Sequence, residues 1–256
     1  MESPAHVVGR AGGLLRALAA HEPEGATTTA AASYAALPRP TAHRLLGDLA
    51  AEGLVERAAD GRWLLGPELW LLGRSAASRY DAVGLARPVL ARLSDATGES
   101  AFLSVRRGDE TVCLVQHDGS FPIRSHVLHE GIRFPLGVAS AGLVLLAHLS
   151  GPERASYLDS ADLVGRWGPA HARDAVERRV RATRRTGYAV NPGLVVEGSW
   201  GMAAAVFDEA GAPAWALSLT GVASRFGAAR RREHGELLLR EAHELTRLLT
   251  RRPQRG

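Results

Sequence analysis

The sequence predicts an α+β chain with an N-terminal winged helix-turn-helix, a linker helix and a C-terminal domain on a mostly antiparallel sheet. Three observations carry this reading. Residues 37–49, Leu-Pro-Arg-Pro-Thr-Ala-His-Arg-Leu-Leu-Gly-Asp-Leu, have the pattern of a short amphipathic helix. Two strand-like runs joined by an Asp-Gly turn follow it at once. Beyond residue 100, strand pairs interleave with helices, which argues an α+β domain.

The elements follow in order. Val7, Val8, Ala11, Leu14, Leu15 and Leu18 form the apolar stripe of a first helix. Thr27, Thr28 and Thr29 supply N-cap hydroxyls for an Ala-rich helix from about Thr29 to Ala36. Pro38 and Pro40 stop that helix and start the next, because proline fits the first turn, where no intrahelical donor is needed. Ala42, Leu45, Leu46 and Leu49 then recur at i, i+3, i+4 and i+7.

The opposite side of that helix holds Pro40, His43, Arg44 and Gly47, with no acid in its first two turns. Such a face suits a DNA major groove. The runs 55–57 and 62–65, joined by Ala58-Ala59-Asp60-Gly61, make the wing. His43 and Arg44 are the candidates for base contacts. Arg39, Arg57 and Arg62 are candidates for phosphate contacts, and Pro40 and Thr41 complete the expected DNA-binding set. Further on, Leu69, Leu72, Gly73 and Ala76 share one face of a linker helix. With Val7, Val8, Leu14 and Leu15 they are expected to pack against a second copy.

In the C-terminal part, residues 101–105 and 111–115 flank a turn at 106–110 and form a hairpin. An apolar helix spans 139–149 and a charged one 172–186. A second hairpin pairs 200–207 with 214–220, and a Leu-striped helix runs from about 228 to 250. Ser218 and Thr220 alternate with Leu217 and Leu219, so both hydroxyls point to one sheet face. The helix start at Ala139-Ser140-Ala141-Gly142 combines small residues with free N–H groups and a positive dipole end, an arrangement that suits a carboxylate. Trp200 and Trp215 fit either pocket walls or the core.

Composition bounds the function. The chain has 256 residues, enough for two domains, and a net charge of +4. All 31 basic residues are Arg, which reads as a GC-rich coding bias. Residues 1–80 hold eight Arg against eight acids, so average charge does not argue for DNA binding. Local placement does, because two Arg and no acid lie between Gly25 and Gly47. Cys113 is the lone cysteine, which fits a reducing cytosol. With no long apolar run and no charged-then-apolar leader, neither a membrane span nor a signal peptide is expected.

His117, His126 and His129 lie close in sequence, but their irregular spacing and the absence of supporting Cys argue against a metal site. Ser140 sits in no Gly-x-Ser-x-Gly elbow. No catalytic residue, metal or cofactor is therefore expected. Two alternatives stay open on pattern alone. One is a small-molecule sensor whose N-terminal module makes only protein contacts. The other is an enzyme built on the C-terminal domain.

Five blocks in order resemble the IclR family of bacterial transcription regulators. They are residues 37–55, 61–73 (GRWLLGPELWLLG), 87–100, 137–150 (GVASAGLVLLAHLS) and 186–221. The resemblance implies a winged helix-turn-helix at 1–66, a linker helix at 67–83 and a GAF-like effector-binding domain at 84–256. It implies a cytoplasmic, effector-responsive regulator that binds an operator in duplex DNA as a homodimer or homotetramer. By position it implies an effector site at Leu136, Ala139, Ser140, Ala141, Gly142, Asn191, Ser199, Gly201, Ser218 and Thr220. Asn191 stands where several relatives carry an acid, and Gly201 where a bulkier residue is usual. Both point away from a two- or three-carbon keto acid and toward a larger organic acid or aromatic metabolite.

Overall fold

The computed structural model describes residues 7–77 and 82–250. The chain divides into two compact units, residues 1–80 and 81–256.

The first unit opens with helix α1 (Val7–Ala19). Helix α2 (Thr28–Tyr34) is capped by the Thr27 hydroxyl, which accepts from the Ala30 N–H at 3.1 Å. It ends at Tyr34, two residues before the expected boundary, and Ala36 takes a left-handed φ of 50°. Helix α3 (Arg39–Ala51) follows with Pro38 at its N-cap and Pro40 in its first turn. Strands β1 (Val55–Arg57) and β2 (Trp63–Leu65) pair antiparallel with Glu56 opposite Leu64, and α4 (Pro67–Ala77) closes the unit.

The stripe read in α3 is its buried face: Ala42, Leu45, Leu46 and Leu49 pack with Leu14, Leu18, Val55 and Trp63. Truncating Leu46 to Ala there should cost about 2–5 kcal/mol. The α1 stripe is shorter than expected. Leu14 and Leu18 are buried, whereas Val7 and Val8 are 60% and 82% exposed. The expected linker at 67–83 extends through residues 78–81, which lie outside the described residues.

The second unit starts with α5 (Ala82–Thr97), then β3 (Ser100–Arg107), β4 (Glu110–His117) and the short β5 (Arg133–Pro135). Helices α6 (Ser140–His148), α7 (Gly151–Ser160), α8 (Val164–Trp167) and α9 (Arg173–Thr186) follow. The chain then adds β6 (Tyr188–Pro192), β7 (Ser199–Phe207), β8 (Pro213–Val222) and α10 (Ala228–Thr250). The six strands form one sheet in the order β5-β4-β3-β8-β7-β6, with every pair antiparallel.

The sheet has two packed faces. Leu217 and Leu219 join Leu90, Leu93 and Leu238 in a core under α5 and α10. Ala203, Ala205 and Ala216 join Val144, Leu145, Val176 and Val180 in a core under α6 and α9. Strand alternation therefore turns Ser218 and Thr220 toward the α6 side.

Candidate nucleic-acid interface and effector site

The free face of α3 carries Arg39, Pro40, His43, Arg44 and Gly47, all exposed, with Thr41 half-buried. Arg44 Nη1 lies 3.4 Å from Asp48 Oδ2, one turn further on. Both side chains are solvent-exposed, so the pair is weak and Arg44 can leave it for another acceptor.

The wing is tied to the helices behind it. Trp63 is buried, and its indole N–H donates to the Thr28 hydroxyl at 3.0 Å. Ala26 and Trp63 exchange backbone hydrogen bonds of 2.9 and 2.8 Å. The His43 ring stands edge-on to Trp63 at 6.5 Å between centroids, which brings the helix and the wing together at that residue. Arg57 donates to the Gly61 carbonyl at 3.3 Å and lies over the Trp63 ring. Arg62, a candidate phosphate contact, is also engaged within the wing. It donates to the Gly25 carbonyl at 3.1 Å and faces Asp60 at 3.4 Å, so two of its donors brace the wing.

In the second unit a narrow cleft opens where the β7–β8 ladder meets the start of α6. Ala139, Ser140, Asn191, Ser199, Gly201 and Thr220 line it, together with Val127, Leu128, Val195 and Trp200. Gly201 and Thr220 are partners across the ladder. The hydroxyls of Ser218 and Thr220 are fully buried and have no hydrogen-bond partner. Helix α6 has no side-chain cap at its N-terminus. Its first-turn N–H groups lack intrahelical acceptors, as at any helix start. Thr220 lines the cleft, whereas Ser218, two residues back along β8, does not reach its lining. The cleft thus holds the buried Thr220 hydroxyl and a helix N-terminus within apolar walls, with no charged residue in its lining.

Four expected site residues have other work. Leu136 is fully buried in the α6–α9 core, and its carbonyl accepts from the Tyr157 hydroxyl at 2.8 Å. Ala141 packs in the same core. Gly142 lies against the backbone of residues 135–137, where a Cβ would come within 3.0 Å of the Pro135 carbonyl. Its small size serves chain packing rather than an approaching ligand. Asn191 uses its amide internally, donating to the Val138 carbonyl at 2.7 Å and accepting from the Leu194 N–H at 2.9 Å. It pins the segment after β6 to the segment before α6 and so sets one wall of the cleft.

Sequence reading missed Val127, Leu128 and Val195 as lining residues. They sit on loops with no periodicity to read. Among the described residues no three potential ligands group around a metal, and His117, His126 and His129 are all exposed. No helix among the described residues is long and apolar enough to cross a membrane. Cys113 is buried against Phe102 and Leu128, and burial pushes its thiol up to about 12.

Comparisons with known proteins agree with both halves. The model described as "Bacterial transcriptional regulator IclR C-terminal" matches residues 74–247, and the "IclR helix-turn-helix domain" model matches residues 7–59. The HTH-type transcriptional regulator BhcR of Paracoccus denitrificans is 31% identical over 229 residues, covering 87% of this chain and 80% of that protein. The acetate operon repressor of Salmonella typhimurium is 27% identical over 228 residues, covering 85% and 81%. An IclR homolog from Microbacterium hydrocarbonoxydans, crystallised with 4-hydroxybenzoate, superposes with a TM-score of 0.75 at 26% identity. That match covers 96% of this chain and 99% of that one.

Proposed function

From the premise that this chain belongs to the IclR family of bacterial transcriptional regulators, we propose how its two units divide the work. The chain is an effector-responsive, DNA-binding transcriptional regulator. In our reading α3 enters the major groove with His43 and Arg44 toward base edges. Arg39 and Arg57 hold flanking phosphates, Pro40 and Thr41 allow close approach, and Arg62 supports the wing while facing the backbone. The observation that carries this is the α3 face itself: exposed donors, no acid in the first two turns, and a wing fixed beside it through Trp63. The reading places the protein in the cytoplasm, where the DNA is.

The effector occupies the cleft at Ser140, Ser199, Gly201, Ser218 and Thr220. The Thr220 hydroxyl in the lining, and the Ser218 hydroxyl behind it, are buried without partners among the described residues and carry a desolvation cost that a ligand would offset. An uncapped helix start favours a carboxylate, and the walls of Trp200, Leu128, Val127 and Val195 favour an apolar body. An aromatic or larger organic acid fits both. The relative crystallised with 4-hydroxybenzoate makes that acid the first compound to try. A symmetric homodimer or homotetramer would present two α3 helices to a palindromic operator.

A gel-shift titration with the chain's own upstream DNA, with and without 4-hydroxybenzoate and related acids, tests the whole reading. Loss of binding at Arg44→Ala but not at Asp48→Ala supports the α3 assignment. Retention of sequence-specific binding by Arg44→Ala removes it.

A further inference from the structure

The cleft is too small as it stands to hold an organic acid. Its interior leaves about 20 Å³, room for roughly one water. The segment 118–129 covers it with Val127 and Leu128. Its start is tied to the strand edge, where the Ser94 hydroxyl donates to the Asp118 carbonyl, the Gly119 N–H to the Ser100 hydroxyl and the Phe121 N–H to the Gly98 carbonyl. Side chains fasten the rest. Arg225, just after β8, makes a two-pronged pair with Glu99, Nε to Oε1 at 2.5 Å and Nη2 to Oε2 at 2.7 Å. The same guanidinium donates to the Ile123 carbonyl at 3.2 Å and lies 4.1 Å from the Phe121 ring centre. The Ser125 and Ser199 hydroxyls share a 2.6 Å hydrogen bond across the cleft mouth. Leu128 is driven inward onto Phe102 and Cys113.

Glu99 is 1% exposed, and removing Arg225 would leave a buried carboxylate without its partner. Gly221 makes the pairing possible, because a Cβ there would strike the Glu99 carboxylate. On the other side of Leu128 a second cleft of about 280 Å³ runs along Phe102 past Ser125 and Arg124. Leu128 lines both clefts and forms part of the wall between them.

We propose that residues 118–129 form a lid, with Leu128 as its plug and the Glu99–Arg225 pair as its latch. Lifting the lid joins the two clefts into one cavity that reaches from Thr220 and Ser140 to Phe102. The joined space reaches the size of ordinary small-molecule sites, about 300 Å³ and upward. Arg225 is on this account a positioning residue: it holds the lid through Phe121 and Ile123. This rests on the reading of the cleft as the effector site, because a lid matters only if something enters beneath it.

The single native cysteine supplies a reporter, since Cys113 lies under Leu128. The full chain, without any ligand, is exposed to a thiol-reactive maleimide under native conditions. Arg225→Gln should speed labelling of Cys113 by about tenfold or more, the scale expected when a charge-assisted hydrogen bond is lost. Glu99→Gln should act in the same direction. A control reporter, Ala205→Cys in a Cys113→Ser background, sits in the core under α6 and should label at an unchanged rate. The double variant Ser125→Cys with Ser199→Cys, once oxidised, should suppress Cys113 labelling, and reduction should restore it. Equal acceleration at both reporters would make Arg225 a global stabiliser and overturn the latch. Unchanged Cys113 labelling in Arg225→Gln, or labelling that survives the oxidised cross-link, would overturn the lid. Because no effector is present, these outcomes are separate from any failure of the effector reading.

Discussion

A Cβ on Gly201 would lie 3.0 Å from the hydroxyl of Ser140, so the strand and the start of α6 meet as closely as their residues allow. Thr220 faces Gly201 across the ladder, which places the missing side chain beside a buried, unpartnered hydroxyl. Gly201→Ala should therefore force Ser140 to rotate or shift by a few tenths of an ångström. The expected stability loss is about 1–3 kcal/mol, the usual range for overpacking. Effector affinity should fall while operator binding in the absence of effector stays at the wild-type level. Thermal denaturation and calorimetry check both, and an unchanged affinity would remove Gly201 from the site.

Ser218 and Thr220 give opposite signs for stability and for binding. An unsatisfied buried hydroxyl costs about 1–3 kcal/mol, so Ser218→Ala with Thr220→Val should leave the ligand-free protein as stable or more stable. The same change should weaken effector binding by about 0.5–1.5 kcal/mol for each lost hydrogen bond. A regulator that is firmer when empty yet deaf to its effector is the expected outcome. Destabilisation of the empty protein would mean that the hydroxyls already have partners there.

The legible part of this chain was its periodicity. The α3 stripe, the wing turn, the alternation of Ser218 with Leu217 and Leu219, and the limits of α10 were all readable, because helix and strand repeats are local. What escaped was set by long-range contacts. Asn191 reaches the cleft wall as expected, but its bonds to the Val138 carbonyl and the Leu194 N–H come from segments far apart in the chain and were not readable. Glu99 and Arg225 lie 126 positions apart, and nothing near either residue announces the pair. Helix α7 is a different case. Ser150 caps it and Glu153 follows three residues on, with Pro152 in the first turn, so its start was written in the sequence and went unread.

Arg44 and Arg62 should separate base reading from wing support. Arg44→Ala removes an exposed side chain whose partner among the described residues is the equally exposed Asp48, so folding should be unaffected. Operator affinity should fall by about 1–3 kcal/mol per half-site, with sequence preference relaxed. Arg62→Ala frees the Gly25 carbonyl and loosens the wing. It should lower the melting temperature slightly and weaken all DNA sequences alike, with a shallower salt dependence. The reverse pattern in footprinting would exchange their roles.

Assembly should depend on the first unit. Trp70, Leu71 and Leu72 on α4 and Val7 and Val8 on α1 are all at least half exposed. Exposed apolar residues gathered on two short helices are the expected surface for a second copy. Light scattering should give at least a dimer at micromolar concentration. Leu71→Asp with Leu72→Asp should shift it to monomer and lower operator affinity, since two half-sites would no longer be held together. A monomeric wild type would contradict this.

Stability should fall in mild acid, for a reason visible in two histidines. His171 and His234 are buried, and among the described residues the Nε2 of His234 has no hydrogen-bond partner and that of His171 has at best a poorly aligned one at the Val138 backbone. Burial holds both below the ordinary histidine value, with Arg179 adding to the effect at His171 and Arg230 at His234. The Trp167 and Val138 backbone groups partly oppose it at His171, and Glu99 and Glu233 do so at His234. In the unfolded chain both rings protonate as pH drops through about 6.5, while the folded chain keeps them neutral until lower pH. Between those points the unfolded state binds more protons, so acid favours unfolding. The stabilisation is fully present above about pH 7 and is lost as pH falls through the unfolded value toward the folded one. Urea titrations at pH 7.5 and 5.5 should show a lower midpoint at 5.5 with an unchanged slope. His171→Gln with His234→Gln should flatten that difference, because it removes the two groups whose protonation separates the states. An equal pH dependence in the double variant would assign the acid sensitivity to His148, which burial and Arg184 also hold low, or to the carboxylates.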